Sequence, residues 1–276
     1  MPASPSRTQR STIAPPVPDG RRRRLNILGV YVDDTPLPES VAHCARLLRA
    51  RRPGAAQVAT VNPEFVMRAR HDAQFRAVLN GAALATPDGS GIMLAAVILG
   101  RPLRGRTTGV ALSEELVALA AREGYRVFLL GAQPGVAAEA GRIWTRRYPG
   151  LQVAGAYPGS PGEDERDEIA ARITAAGADL LFVAFGAPAQ DRWIAANRDR
   201  LPTVRLAMGV GGVFDYLTGR VPLAPAILRR AGLEWLYRLY RQPWRWRRML
   251  ALPAFALAVL GQRAGVVRPP RRGVPA

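Results

Sequence analysis

The 276-residue chain contains no lysine; all 39 of its basic residues are arginine. A P-loop phosphate site needs its lysine, which weakens a P-loop NTPase. The bias also lowers the weight of any single arginine as a sign of bidentate anion recognition. The lone cysteine, Cys44, excludes an internal disulfide and a cysteine zinc cluster, and fits a reducing compartment. The two histidines, His43 and His71, sit beside Cys44 and Asp72. Adjacent helix positions point to different faces, which favours packing or surface roles over Cys–His catalysis. No Asp-x-Asp pair and no G-x-G-x-x-G fingerprint occurs; the latter absence weakens a nicotinamide-dependent oxidoreductase. The longest apolar run, Met249–Gly261, is too short to span a bilayer and contains Pro253. The Pro/Ser/Arg-rich start lacks the apolar stretch of a secretory signal and reads as a disordered basic leader. The expected location is cytoplasmic, at most peripheral to a membrane.

The formal charge of +18 is unevenly placed. Met1–Arg24 holds six arginines and one aspartate, Ala226–Ala276 eleven arginines and one glutamate, leaving about +3 to everything between. A nucleic-acid reader spreads basic charge over its folded body; this body is nearly neutral, so nucleic acid is not the expected partner.

From Leu25 onward, apolar runs alternate with amphipathic segments. Strands are expected at Leu25–Val32, Gln57–Val61, Ala82–Ala85, Arg126–Leu130, Gln152–Ala156, Leu180–Phe185 and Arg205–Val210. Helices are expected at Pro38–Ala50, Pro63–Leu79, Ser113–Arg122, Gly135–Arg147, Glu163–Ala176 and Ala189–Asn197, with a further apolar helix after Ser90. The pattern predicts an α/β fold, a mainly parallel Rossmann-like sheet flanked by helices, with a basic amphipathic C-terminal helical appendage. The expected divisions are a leader (1–24), a body (25–225), an appendage (226–262) and a basic tail (263–276).

Sites in such sheets gather at the carboxyl ends of strands, so the loops there carry the candidates. Thr60 and Asn62 end one strand, although Asn62-Pro63-Glu64 is also a well-formed helix start. Asp88 lies in the turn Thr86-Pro87-Asp88-Gly89, where a carboxylate could act as general base or simply build the turn. Arg106, in Gly105-Arg106-Thr107-Thr108-Gly109, could pair with phosphate or a sugar carboxylate. Leu130–Gly135 is a strand-to-helix turn that could approach a nucleotide through free N–H groups. Gln190 stands in a helix's first turn, able to meet a sugar hydroxyl or face water. Gly209-Val210-Gly211-Gly212 permits close approach of a ligand or another backbone, with Asp215 just beyond it. Without an Asp-x-Asp metal site, a leaving diphosphate would have to be neutralised by arginines and helix N-termini.

Arg238, Arg241, Arg245 and Arg248 recur at helical spacing and form one stripe. Trp235, Leu236, Leu239, Pro243, Trp246 and Leu250 fall roughly opposite, and Pro243 should kink the helix. Basic plus Trp/Tyr/Leu composition is that of an interfacial helix on an anionic membrane surface. A non-catalytic basic module binding membrane or nucleic acid would use the same segment.

Thr60-x-Asn62-Pro63-Glu64, Thr86-Pro87-Asp88-Gly89, Arg106-x-Thr108-Gly109, Phe128-Leu129-Leu130-Gly131, Gly186-Ala187-Pro188-x-Gln190, Gly209-Val210-Gly211-Gly212-x-Phe214-Asp215 and Gly232–Arg238 occur in this order. The series resembles the WecG/TagA/CpsF family, glycosyltransferase family 26, from about Leu25 to Leu250. The resemblance implies inverting, cofactor-free and metal-independent transfer of a hexose-type sugar from a UDP-sugar donor to a polyprenyl-diphosphate-linked acceptor. Members make teichoic-acid linkage units, enterobacterial common antigen or exopolysaccharide repeats, from N-acetylmannosamine, its uronic acid or glucose. It places the catalytic base on Asp88. Substrate-binding groups fall on Thr60, Asn62, Arg106, Gln190 and, less directly, Asp215, with diphosphate- or membrane-facing arginines in the stripe Arg238–Arg248. The family usually has Lys where Ala189 stands and commonly Asp where Ala111 stands, which leaves the donor sugar open. A homo-oligomer also stays open.

Overall fold

The computed structural model describes residues 22–50, 52–225, 227–228, 234–241 and 251–267. Among these residues the strands are β1 (Arg24–Ile27), β2 (Val30–Asp33), β3 (Ala56–Val61), β4 (Leu84–Pro87), β5 (Arg126–Gly131), β6 (Gln152–Tyr157), β7 (Leu180–Ala184) and β8 (Leu206–Gly209). The helices are α1 (Leu37–Arg49), α2 (Pro63–His71), α3 (Ala73–Gly81), α4 (Ser90–Ile98), α5 (Gly109–Glu123), α6 (Val136–Arg147), α7 (Arg166–Ala175), α8 (Ala189–Asn197), α9 (Val213–Leu217), α10 (Glu234–Arg241) and α11 (Ala251–Arg263). Six strands form one sheet in the order β4-β3-β8-β7-β5-β6, every pair parallel. The expected α/β class with a parallel sheet is what forms.

Side-chain alternation along the central strands explains the layers. On β7, Leu180, Phe182 and Ala184 enter one core, with Trp144, Phe214 and Cys44 under α1, α5, α6 and α9. Leu181 and Val183 enter the opposite core, beneath Ile169 and Ile173 of α7 and Trp193 and Ile194 of α8. Runs apolar at every position are therefore strands buried on both faces. A third core joins β1 and β2 to α2, α3, α4 and α11, centred on Ile27, Val66, Phe75, Ile92 and Val259.

Several expected boundaries move. Leu25–Val32 is not one strand but the antiparallel hairpin β1–β2. Its turn is closed by Asn26 Oδ1, which accepts the Gly29 N–H at 2.8 Å. The helix expected over Pro63–Leu79 divides at Asp72, whose Oδ1 accepts the Phe75 N–H at 2.9 Å and starts α3. The strand expected at Ala82–Ala85 is Leu84–Pro87; Pro87 is tolerated because β4 is an edge strand and Pro87 its last residue. The helix expected from Ser113 starts at Gly109, where Thr108 Oγ1 accepts the Ala111 N–H at 3.2 Å.

His43 and Cys44 behave as packing residues. Burial, with Arg22 and Arg46 adding repulsion, pushes the His43 imidazole down to about 4. Burial pushes the Cys44 thiol up to about 12.

In the C-terminal segment α10 covers part of the expected tail helix; Leu236, Tyr240 and Arg241 are exposed on it. Arg245, Arg248, Pro243, Trp246 and the side chain of Arg238 lie outside what is described. Much of the Met249–Gly261 run lies in α11, which inserts Phe255, Ala258 and Val259 into the core shared with α2 and α4.

Candidate functional site

The carboxyl ends of β3, β4, β5, β7 and β8 open into one cavity of about 1180 Å³. All six body residues singled out from the sequence line it: Thr60, Asn62, Asp88, Arg106, Gln190 and Asp215. The strand order sets their arrangement, with β4 and β3 at one end, β8 and β7 in the middle and β5 beyond.

At the first end, the N-termini of α2 and α4 are pressed together. A Cβ on Gly91 would lie 2.5 Å from Pro63 Cγ, so only glycine permits this approach. Asn62 Oδ1 accepts the Phe65 N–H at 3.0 Å, so the capping role is real; the amide nitrogen is the part left for a ligand. Thr60, on β3, is almost fully buried. The Asp88 N–H donates to Val61 O at 2.8 Å, continuing the β3–β4 pairing into the loop. Asp88 Oδ2 accepts the Gly109 N–H at 3.2 Å, so the partial positive charge of the α5 N-terminus faces this carboxylate.

The Arg106 loop is tied at several points. The Thr107 N–H donates to Pro87 O at 2.9 Å, and Thr107 Oγ1 donates to Thr35 O at 3.1 Å. Arg104, two residues earlier, donates its N–H to Asp34 Oδ1 at 2.7 Å and pairs with Glu39 at 2.6 Å. Asp33 is fully buried, accepts the Ala85 N–H at 2.8 Å and takes Arg24 Nε at 2.9 Å. The adjacent acids Asp33 and Asp34 thus anchor β4 and the Arg106 loop. Sequence reasoning gave them no such part. Their only signal was two carboxylates ending a strand in a nearly neutral body.

In the middle, Gln190 is buried and does not face water. Its Oε1 accepts the Gly211 N–H at 2.9 Å. A Cβ on Gly209 would meet Gln190 Nε2 at 2.6 Å. The close approach that the glycine run allows is therefore in part that of Gln190 itself, which fixes the loop after β8. Asp215 stands in the first turn of α9 on the cavity wall.

At the far end, Gln133 shares the cavity wall with a Glu114 cluster at the C-terminal end of α6 that sequence reasoning missed. Glu114 accepts from Trp144 Nε1 at 3.0 Å, from the Tyr148 hydroxyl at 2.9 Å and from Arg147. Burial alone pushes Glu114 up, yet these three donors outweigh it and hold the carboxyl below its usual range. Tyr148 is pushed up to about 12 by burial and by donating its hydroxyl to the Glu114 carboxylate.

Two features bear on what the cavity can hold. Its wall carries four carboxylates (Glu64, Asp88, Glu114, Asp215) against two guanidiniums (Arg106, Arg147), counting described residues. Ala251 and Leu252, the first residues of α11, also line it, and Arg248 stands three residues before Ala251. Among the described residues, no three His, Cys, Asp or Glu side chains form a metal-ligating group. Nor is any described helix long and apolar enough to cross a membrane.

Comparison with known proteins gives a consistent result. Residues 25–268 match the model of the Glycosyl transferase WecG/TagA/CpsF family. The chain is 36% identical over 236 residues to an N-acetylglucosaminyldiphosphoundecaprenol N-acetyl-beta-D-mannosaminyltransferase of Bacillus spizizenii, covering 86% of this chain and 90% of that one. A protein of the same name from Bacillus subtilis is 36% identical over 205 residues, 74% and 79% of the two chains. One from Staphylococcus aureus is 30% identical over 232 residues, 84% and 90%.

Proposed function

The chain belongs to the WecG/TagA/CpsF glycosyl transferase family, and from that premise we propose that it moves N-acetylmannosamine from a UDP-sugar to a polyprenyl-diphosphate-linked saccharide. Transfer inverts the anomeric carbon, needs no divalent metal and takes place with the protein peripheral to the inner membrane face. The choice of sugar and acceptor follows the names of the relatives. The observation that carries the reading is the convergence of Thr60, Asn62, Asp88, Arg106, Gln190 and Asp215 on one cavity. The oxidoreductase and the non-catalytic module give way to glycosyl transfer on family membership.

The chemistry is a single displacement. Asp88 takes the proton of the acceptor hydroxyl as its oxygen attacks the anomeric carbon, and the bond to UDP breaks on the opposite face. The Gly109 N–H holds one Asp88 oxygen in place, which fixes the direction of the base. Thr60, the Asn62 amide nitrogen and Arg106 hold the sugar and acceptor at this end. The diphosphate lies over the loop that Gln190 clamps after β8, toward the α6 N-terminus, where backbone N–H groups favour anions.

The described wall carries more negative than positive charge, so the departing diphosphate needs cations from elsewhere. In the sequence, Arg248 precedes Ala251 of the cavity rim by three residues. Arg238, Arg241, Arg245 and Arg248 supply that charge and also bind the anionic membrane surface. The test is UDP release and product mass with UDP-sugars and a lipid-diphosphate N-acetylglucosamine acceptor. Acceptor-dependent turnover with UDP-N-acetylmannosamine, unchanged by EDTA, is expected. Turnover only with another UDP-sugar would overturn the donor, and none with any donor would overturn the reaction.

A further inference from the structure

Two neighbouring helices turn apolar side chains both into the core and out to the surface. The helix α4 is Ser-Gly-Ile-Met-Leu-Ala-Ala-Val-Ile; it buries Ile92, Ala95 and Ala96 and leaves Leu94 and Val97 56% and 61% exposed. The helix α11 buries Phe255, Ala258 and Val259 and leaves Leu257 and Leu260 70% and 50% exposed, beside exposed Pro253 and Ala254. A surface helix of a water-soluble protein turns a polar face outward; neither of these does, and they pack side by side in the same core.

The ridge is fixed to the body. Gln262 Oε1 accepts the Leu28 N–H at 2.8 Å, and Gln262 Nε2 donates to Asn26 O at 3.0 Å. Arg263 donates to Leu99 O at 3.3 Å, tying the far ends of the two helices together. Neither helix contains an acidic residue, and exposed Arg101 and Arg263 stand at that far end. At the near end both helices begin on the cavity wall, with Ser90 and Gly91 on one side and Ala251 and Leu252 on the other.

We propose that the α4–α11 ridge is the surface by which this protein lies on an anionic phospholipid bilayer, Leu94, Val97, Leu257 and Leu260 entering the headgroup–acyl boundary. Arg101 and Arg263 meet lipid phosphates there, and the cavity mouth is held at the membrane. The orientation rests on the lipid-linked acceptor proposed above; the ridge itself does not. A second copy of the chain fits less well, since a two-fold interface through this face would set basic rims together with no acid to answer them. Interfacial binding of this kind scales with apolar area and is strengthened by anionic lipid.

The experiment is flotation of the full chain with vesicles of phosphatidylglycerol and phosphatidylcholine. The pairs Leu94→Gln/Val97→Gln and Leu257→Gln/Leu260→Gln remove apolar surface that is already exposed, so folding is checked by thermal melts. Salt of about 0.5 M mutes the arginine stripe, whose contribution is screened. Each pair should lower partitioning on the order of tenfold or more. Wild-type partitioning in both folded variants would overturn the proposal, as would a wild-type dimer that the pairs convert to monomers without loss of flotation. Transfer to a water-soluble lipid-diphosphate analogue, run in parallel, separates the two readings. If the pairs abolish flotation and no acceptor is glycosylated even by wild type, the ridge stands and the proposed reaction falls. If transfer proceeds and flotation is untouched, the reverse holds.

Discussion

Asp191→Asn is expected to change how stability depends on pH. Asp191 is fully buried in the first turn of α8, and neither carboxylate oxygen has a hydrogen-bond partner among the described residues. The backbone carbonyl of Asp191 is engaged, accepting from Gln57 Nε2 at 3.0 Å. Burial raises the carboxyl from 3.8 to about 7, so between those values the unfolded chain is ionised while the fold keeps its proton. For an acid raised in this way, stability is greatest below about pH 4, falls as pH rises and levels off above about 7. At about 1.4 kcal/mol per pH unit, the fall from pH 5 to pH 7 is about 2–3 kcal/mol. His43 acts in the opposite sense. Its folded value is lowered to about 4, so stability rises with pH from there toward the model-peptide value. The quantity to measure is therefore the stability difference between wild type and Asp191→Asn, in which the His43 contribution cancels. Urea unfolding at pH 5 and pH 8 should show the variant gaining about 2–3 kcal/mol on wild type across that interval. A difference that does not change with pH would mean that Asp191 is ionised and solvated in the fold, and the account of that pocket would be wrong.

Three further outcomes follow from the packing. Gly209→Ala pushes a methyl into Gln190 and should release the Gly211 N–H, costing about 1–3 kcal/mol in urea unfolding and lowering turnover; a fully active variant of wild-type stability would contradict the clamp. Asp33→Ala leaves Arg24 and the Ala85 N–H without their shared acceptor and should cost about 3 kcal/mol or more by the same measurement. A loss under about 1 kcal/mol would show that Asp33 does not anchor β4. Replacing Arg238, Arg241, Arg245 and Arg248 with glutamine should cut UDP release on a water-soluble acceptor by about a hundredfold. These substitutions are a cleaner probe than truncation, since α11 beyond them fills part of the core. Full turnover with lost vesicle binding would reduce the stripe to an anchor.

The fold was largely legible because parallel strands buried on both faces leave continuous apolar runs, as Leu180–Ala184 does. Errors came where a local side chain overrides periodicity. Asn26 and Asn80 close the β1–β2 hairpin by hydrogen bonds to the Gly29 and Tyr31 backbone, inside a run that reads as one strand. Asp72 restarts a helix in the middle of an unbroken amphipathic pattern. The Thr108 side chain starts α5 at Gly109, four residues before the Ser113 start that the apolar pattern suggests. The residues that line the cavity were legible because strand carboxyl ends converge. What supports them was not, since Asp33 with Ala85, Arg104 with Glu39 and Glu114 with Tyr148 are pairings across 34–65 residues that no local pattern encodes.

The proposal turns on Asp88 as the base. Asp88→Asn keeps the shape and an acceptor for the Gly109 N–H but cannot take a proton. Single-turnover transfer from UDP-N-acetylmannosamine to a lipid-diphosphate acceptor should fall by about two to four decades, while donor affinity by calorimetry stays within a few-fold of wild type. Near-normal turnover in a variant that binds donor normally would contradict it.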